Sequence, residues 1–215
     1  TVSDKTLVIA ILVIIGLFSA FFLVFWYTDK ADDPKTIQEM HELNLKGKLD
    51  KDEGYVYNGF SFVNVSGMWF TQVQRFRSTD LYNVQFHYSP EDVESIPVVG
   101  DVDNFKDYNG TYIAFDPTSE DYMHTALAAG ELSINLATVF KMLPIAACTK
   151  NTTEVCYTRP IVSCMDSDKP IILFDHADKP AVIRENEACI RITGNGTDLV
   201  KGVDRLFFQW FEIMR

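Results

Sequence analysis

Basic side chains are in short supply: 19 Lys and Arg stand against 30 Asp and Glu, a formal net charge of −11. A free-standing nucleic-acid binder needs a basic surface, so nucleic acid is excluded as a partner. Glycine is sparse too, 11 residues without a three-residue period, which excludes a collagen-like chain. With 47% hydrophobic against 23% charged residues, the chain is too apolar for intrinsic disorder. Motifs that carry chemistry are also missing. There is no C-x-x-C, no H-E-x-x-H and no G-x-S-x-G, so redox, zinc-hydrolase and nucleophile-elbow chemistries have no anchor here.

One further absence locates the protein. Between Leu7 and Tyr27 there is no charged residue. As a helix this run is about 31 Å long, the thickness of a hydrocarbon core. The run is read as a transmembrane helix rather than a buried core helix, which would show polar positions at helical spacing, or a signal peptide, whose apolar stretch is shorter. Lys5 precedes the run and Asp29, Asp32 and Asp33 follow it, so the positive-inside bias puts the N-terminus in the cytoplasm and the rest outside. Trp26 and Tyr27 suit the outer aromatic belt. Inside the run, Gly16 and Ala20 are four apart, a small-xxx-small spacing that lets helices approach closely.

The remainder agrees with an external location. Four glycosylation sequons, at Asn64, Asn109, Asn151 and Asn195, all lie after the apolar run. The four cysteines, Cys148, Cys156, Cys164 and Cys189, read as two disulfides. Of three possible pairings, Cys148–Cys156 with Cys164–Cys189 is preferred, because CTKNTTEVC closes a short polar loop.

Along the chain the expected parts are an N-terminal tail (1–6), the spanning helix (7–27), a charged stalk (28–53), a β-rich subdomain (54–105) and a mixed α/β subdomain with the disulfides (106–215). The fold class is α+β, with antiparallel sheets and two packed amphipathic helices. Asp33-Pro34 and Gly47 bracket a short helix from Lys35 to Lys46, carrying Ile37, Met40 and Leu43 on one side. Strands are expected around Tyr55–Tyr57, Phe60–Phe62 and Trp69–Val73, with a turn at Ser66-Gly67, and at Tyr82, Val84, Phe86 and Tyr88, which alternate with Leu81, Asn83, Gln85 and His87. After a strand at Tyr112–Phe115, Thr118 opens a helix by an approximate capping box with Asp121, and Pro144 ends it. Strands follow at Ile161–Cys164, Ile171–Phe174 and Ala181–Ile183, the last two as a hairpin, then Ala188–Thr193. A final helix buries Leu199, Val203, Leu206, Phe207, Trp210 and Met214.

Three features invite chemistry. Gly194-Asn195-Gly196-Thr197 has the look of a phosphate-cradling turn, but it lacks the Lys-Ser/Thr of a Walker loop and the third glycine of a dinucleotide site, so a tight turn with a Thr cap is preferred and no cofactor is expected. Asp175-His176 could pair acid with base, and Glu131 could be a buried acid, although a loop and a solvent-facing position are the blander assignments. The expected function is a single-pass, extracytoplasmic glycoprotein module, non-catalytic, that works as one subunit of an assembly. Its partners are the bilayer or neighbouring hydrophobic helices, and other protein subunits, the same or different. A second expectation starts from the apolar helix preceding a globular head: over about the first 50 residues the chain resembles type IV pilin-like subunits, which implies a filament core built of such helices. It departs from that pattern in placing Asp4 and Lys5 before the apolar run. A third, an anchored envelope enzyme, requires a cleft that gathers Asp116, Glu131 or His176.

Overall fold

The computed structural model describes residues 4–28, 36–74, 77–165 and 170–215. The chain divides into two compact units, Thr1–Glu39 and Met40–Arg215. In the first, α1 (Asp4–Thr28) is one continuous helix across the uncharged run. Its described side chains lie exposed, Leu12 at 63% and Phe22 at 66%. Among the described residues, no helix is long and apolar enough to cross a membrane. The residues Asp29, Asp32, Asp33, Pro34 and Lys35 lie outside the described residues, as do the side chains of Trp26 and Tyr27.

α2 (Ile37–Leu45) starts later than Lys35, because Thr36 and Glu39 form a reciprocal cap: Glu39 N–H donates to Thr36 Oγ1 at 3.2 Å and Thr36 N–H to Glu39 Oε2 at 2.9 Å. It stops where expected. Gly47 has φ +65°, Lys48 N–H reaches Leu43 O and Gly47 N–H reaches Asn44 O, the paired bonds of a Schellman ending. The buried residues of α2 are His41 and Asn44, not the apolar trio. The reason is hydrogen bonding: Asn44 Nδ2 donates to Tyr55 O, Ser61 Oγ and Phe62 O, and His41 Nδ1 meets Ser61 Oγ at 2.9 Å.

The second unit opens with an antiparallel meander of β1 (Gly54–Tyr57), β2 (Phe60–Val65), β3 (Met68–Gln74) and β4 (Leu81–Phe86). The turns at Asn58-Gly59 and Ser66-Gly67 have positive φ at both residues, the type I′ geometry that matches strand twist. Then come α3 (Pro90–Val93), β5 (Val98–Val99), β6 (Gly110–Phe115), α4 (Tyr122–Asn135) with a π-helical turn at Leu136–Phe140, β7 (Leu143–Cys148), β8 (Ile171–His176), β9 (Ala181–Asn186), β10 (Cys189–Gly194) and α5 (Asp198–Trp210). The second sheet has the order β5-β9-β10-β8-β6-β7. β10, β8, β6 and β7 run parallel, β9 runs antiparallel to β10, and β5 is parallel to β9.

α5 holds the two sheets together. Ile172, Ile190 and Ile192 face the core that Leu132, Val203 and Leu206 fill, while Phe62 and Phe86 of the meander meet Phe208 at ring-centroid distances of 5.6 and 4.7 Å. Fully burying one such ring stabilises the fold by about 1.5–3 kcal/mol. The opposite face of the six-stranded sheet, Ala114, Ile171, Leu173 and Cys189, is covered by Val162 and Cys164 from the long β7–β8 connection.

Several expectations need correction. The hairpin between Ile171–Phe174 and Ala181–Ile183 does not form, because β10, with Ile190 and Ile192 fully buried, inserts between β8 and β9. Ile161 makes a lone bridge to Cys148 in place of a strand. Pro144 does not simply end a helix; it sits in β7, an edge strand, where a missing N–H is tolerated. Thr118 bonds Asp116 through its N–H and its hydroxyl, so the helix begins only at Tyr122. Thr197 precedes α5 without a side-chain cap, although the turn itself is present with Gly196 at φ +59°.

Candidate functional site

Three ionisable side chains from three elements meet where the meander abuts the helices. His87 follows the last residue of β4, Glu131 lies on α4, and Asp204 lies on α5 at 0% exposure. Glu131 is therefore buried rather than solvent-facing, because α4 turns that side towards α5. His87 Nδ1–H donates to Glu131 Oε2. That bond raises the imidazole pKa, and burial offsets it only in part.

Asp204 is the tighter case. Its Oδ2 accepts Tyr88 N–H at 2.8 Å. Its Oδ1 is buried without a donor, and so is Glu131 Oε1. The Glu131 carboxyl is the charged neighbour that Asp204 faces. Burial holds Asp204 well above the usual carboxylate range, and the neighbouring Glu131 adds to the shift. A carboxyl so shifted holds its proton more readily than an exposed one, which limits the charge that burial takes out of water.

His87 and Glu131 open onto a cleft of about 410 Å3 between the end of the meander and α4, walled by Phe70, Asn83, Gln85, Leu127, Gly130 and Ile134. In the wall, the Thr138 hydroxyl donates to Ile134 O at 2.7 Å. Among the described residues no group of three or more His, Cys, Asp or Glu could hold a metal ion.

The residues on which an enzyme would depend sit apart. Asp116 pairs with Lys150 at 2.9 Å, in a cleft that also contains Asp175, Glu185 and Arg191. The Thr118 hydroxyl first, and then Lys150, pull the Asp116 carboxyl down to about 2. His176 pairs with Asp121 at 2.5 Å, not with its neighbour Asp175, which binds Arg191 at 2.6 Å. None of the described clefts gathers Asp116, Glu131 and His176. The largest depression, about 1050 Å3 beside Trp210 and Lys106, contains none of them.

Cys148 bonds Cys156 and Cys164 bonds Cys189, the preferred pairing. The first closes the loop after β7; the second fastens the covering connection to the start of β10. Asn109, Asn151 and Asn195 are exposed, whereas Asn64 is half-buried in β2 with its Oδ1 accepting Gly67 N–H at 3.0 Å. Gly16 and Ala20 are exposed on α1. His87 and Asp204 were not foreseen. The available signal was an acid among Val200, Val203, Phe207 and Phe208, on the apolar face of α5. No protein family, curated protein or solved structure matches the chain.

Proposed function

We propose that the protein is anchored by α1 in a membrane, N-terminus in the cytoplasm, and presents the Met40–Arg215 unit outside as a non-catalytic interaction module, one subunit of a surface assembly. The observation that carries this is the uncharged run Leu7–Tyr27 inside one unbroken helix, Asp4–Thr28. In water such a surface would expose a continuous apolar strip far beyond what a soluble monomer tolerates. All four cysteines are paired, which fits an oxidising compartment. Three sequons on exposed residues support the same side of the membrane.

Protease treatment of intact cells tests the topology. The 40–215 unit should be cut from the surface while the N-terminal tail stays protected. A unit that resists digestion until the membrane is opened contradicts the proposal.

A further inference from the structure

We propose that the free edge of β4 binds an extended, uncharged peptide segment of a partner protein, which adds a fifth strand to the meander and lays its side chains against α4. This names the partner chemistry of the interaction module and rests on that role, not on the membrane anchor.

The hydrogen-bond phase of the meander follows from its turns. In a two-residue type I′ hairpin the closing residues, here Val65 and Met68, exchange both backbone bonds, and the pattern alternates from there. Met68 and Phe70 therefore bond to β2, and Trp69, Thr71 and Val73 bond to Phe86, Val84 and Tyr82 of β4. The N–H and C=O groups of Asn83 and Gln85 must then point away from the sheet. Among the described residues no backbone hydrogen bond outside the sheet is made to them. Natural edges are blunted by lysine, proline, a bulge or a covering segment. LYNVQF has neither charge nor proline, and its register with β3 is unbroken.

The cleft runs along this edge, since the consecutive residues Tyr82, Asn83, Val84 and Gln85 all line it. Across from them, Leu127 and Ile134 of α4 are 45% and 63% exposed, with Gly130 between them leaving open space where a side chain would stand. Backbone donors and acceptors on one wall and apolar side chains on the other are what an added strand requires. Charge complementarity selects the occupant. The lining charges, His87 and Glu131, are spent on each other, so a charged residue entering the slot would lose its water and gain no counter-ion.

The test uses the full chain in detergent micelles and a blocked, fluorescent hexapeptide of alternating threonine and valine. Saturable binding is expected, with the amides of Asn83 and Gln85 slowed about tenfold in hydrogen exchange. Asn83→Pro, which removes an edge N–H but no ladder bond, and Gly130→Leu, which fills the slot, should each weaken binding about tenfold without lowering the melting temperature. The same peptide with lysine for valine should bind about tenfold less. No saturation up to about 1 mM, or equal affinity in both variants, overturns the proposal. So does self-association that protects the same amides without peptide, because a second copy then takes the edge. Micelle binding is indifferent to topology, so a failure here leaves the anchoring proposal standing, and the reverse.

Discussion

Glu131 of α4 and Asp204 of α5 are neighbours in the core, and each has a buried oxygen that no donor reaches. Because folding raises the Asp204 pKa, its contribution to stability is complete below the unfolded value near 3.8 and is lost as pH rises through the folded value. Asp204→Asn keeps a donor towards Glu131 and an acceptor for Tyr88 N–H, but it has no proton to lose. Its stability at neutral pH should lie within about 1 kcal/mol of the parent, and its decline towards alkaline pH should be shallower. Asp204→Ala strands Tyr88 N–H and should cost about 1–3 kcal/mol. Urea midpoints across the pH range decide this; an identical pH dependence for the parent and Asp204→Asn would show that Asp204 does not titrate above its usual range.

Two histidines should titrate in opposite directions from 6.5. The hydrogen bond to Glu131 raises His87, so its contribution to stability is present below 6.5 and lost as pH rises through the higher folded value. Burial lowers His41, whose Nε2 has no partner; its contribution is present above 6.5 and lost as pH falls through the lower folded value. Residue-resolved NMR titration of the ring resonances separates them. Finding His87 below His41 would contradict the pairing with Glu131.

The meander was legible because its strands are amphipathic and its turns carry glycine: Val84 and Phe86 are buried while Asn83 and Gln85 are exposed, as alternation demands. The second sheet was less so. Its strand order depends on which partner buries Ile190 and Ile192 best, a non-local competition that spacing along the chain does not encode. Pro144 hid β7, since proline reads as a break unless the strand is known to lie at an edge. The candidate site was the least legible. His87, Glu131 and Asp204 come from separate elements, and the spacing along the chain does not show that they meet.

The two disulfides should differ in value. Removing a cross-link restores chain entropy to the unfolded state in proportion to the logarithm of the loop it closed. Cys148–Cys156 spans 8 residues and Cys164–Cys189 spans 25. Double alanine replacement should cost about 2–3 kcal/mol for the first and about 3–4 kcal/mol for the second. The second also fastens the segment covering Ala114, Ile171 and Leu173, so its loss should expose that face to a hydrophobic dye. Denaturant titration of the two variants compares them. Equal costs, with no dye binding, would mean that the cover stays in place without its bond.

Two helical glycines should respond to alanine with opposite signs. Gly130 on α4 faces open space, and a Cβ there meets nothing within 4 Å. Alanine lowers the entropy of the unfolded chain without strain, so Gly130→Ala should stabilise by about 1 kcal/mol. Gly202 on α5 lies where the helix crosses β10, and an added Cβ would sit 2.5 Å from Ile192 Cγ2. Ile192 is fully buried and β-branched, so it has no second rotamer into which to retreat. Either α5 lifts from the sheet or the strand bends, and both loosen the layer that Phe207 and Phe208 link to the meander. Gly202→Ala should therefore lose about 1–3 kcal/mol despite its better helix propensity. Thermal melts of the two variants beside the parent give the signs directly. A stabilised Gly202→Ala would show that α5 does not press on β10 as closely as the packing requires.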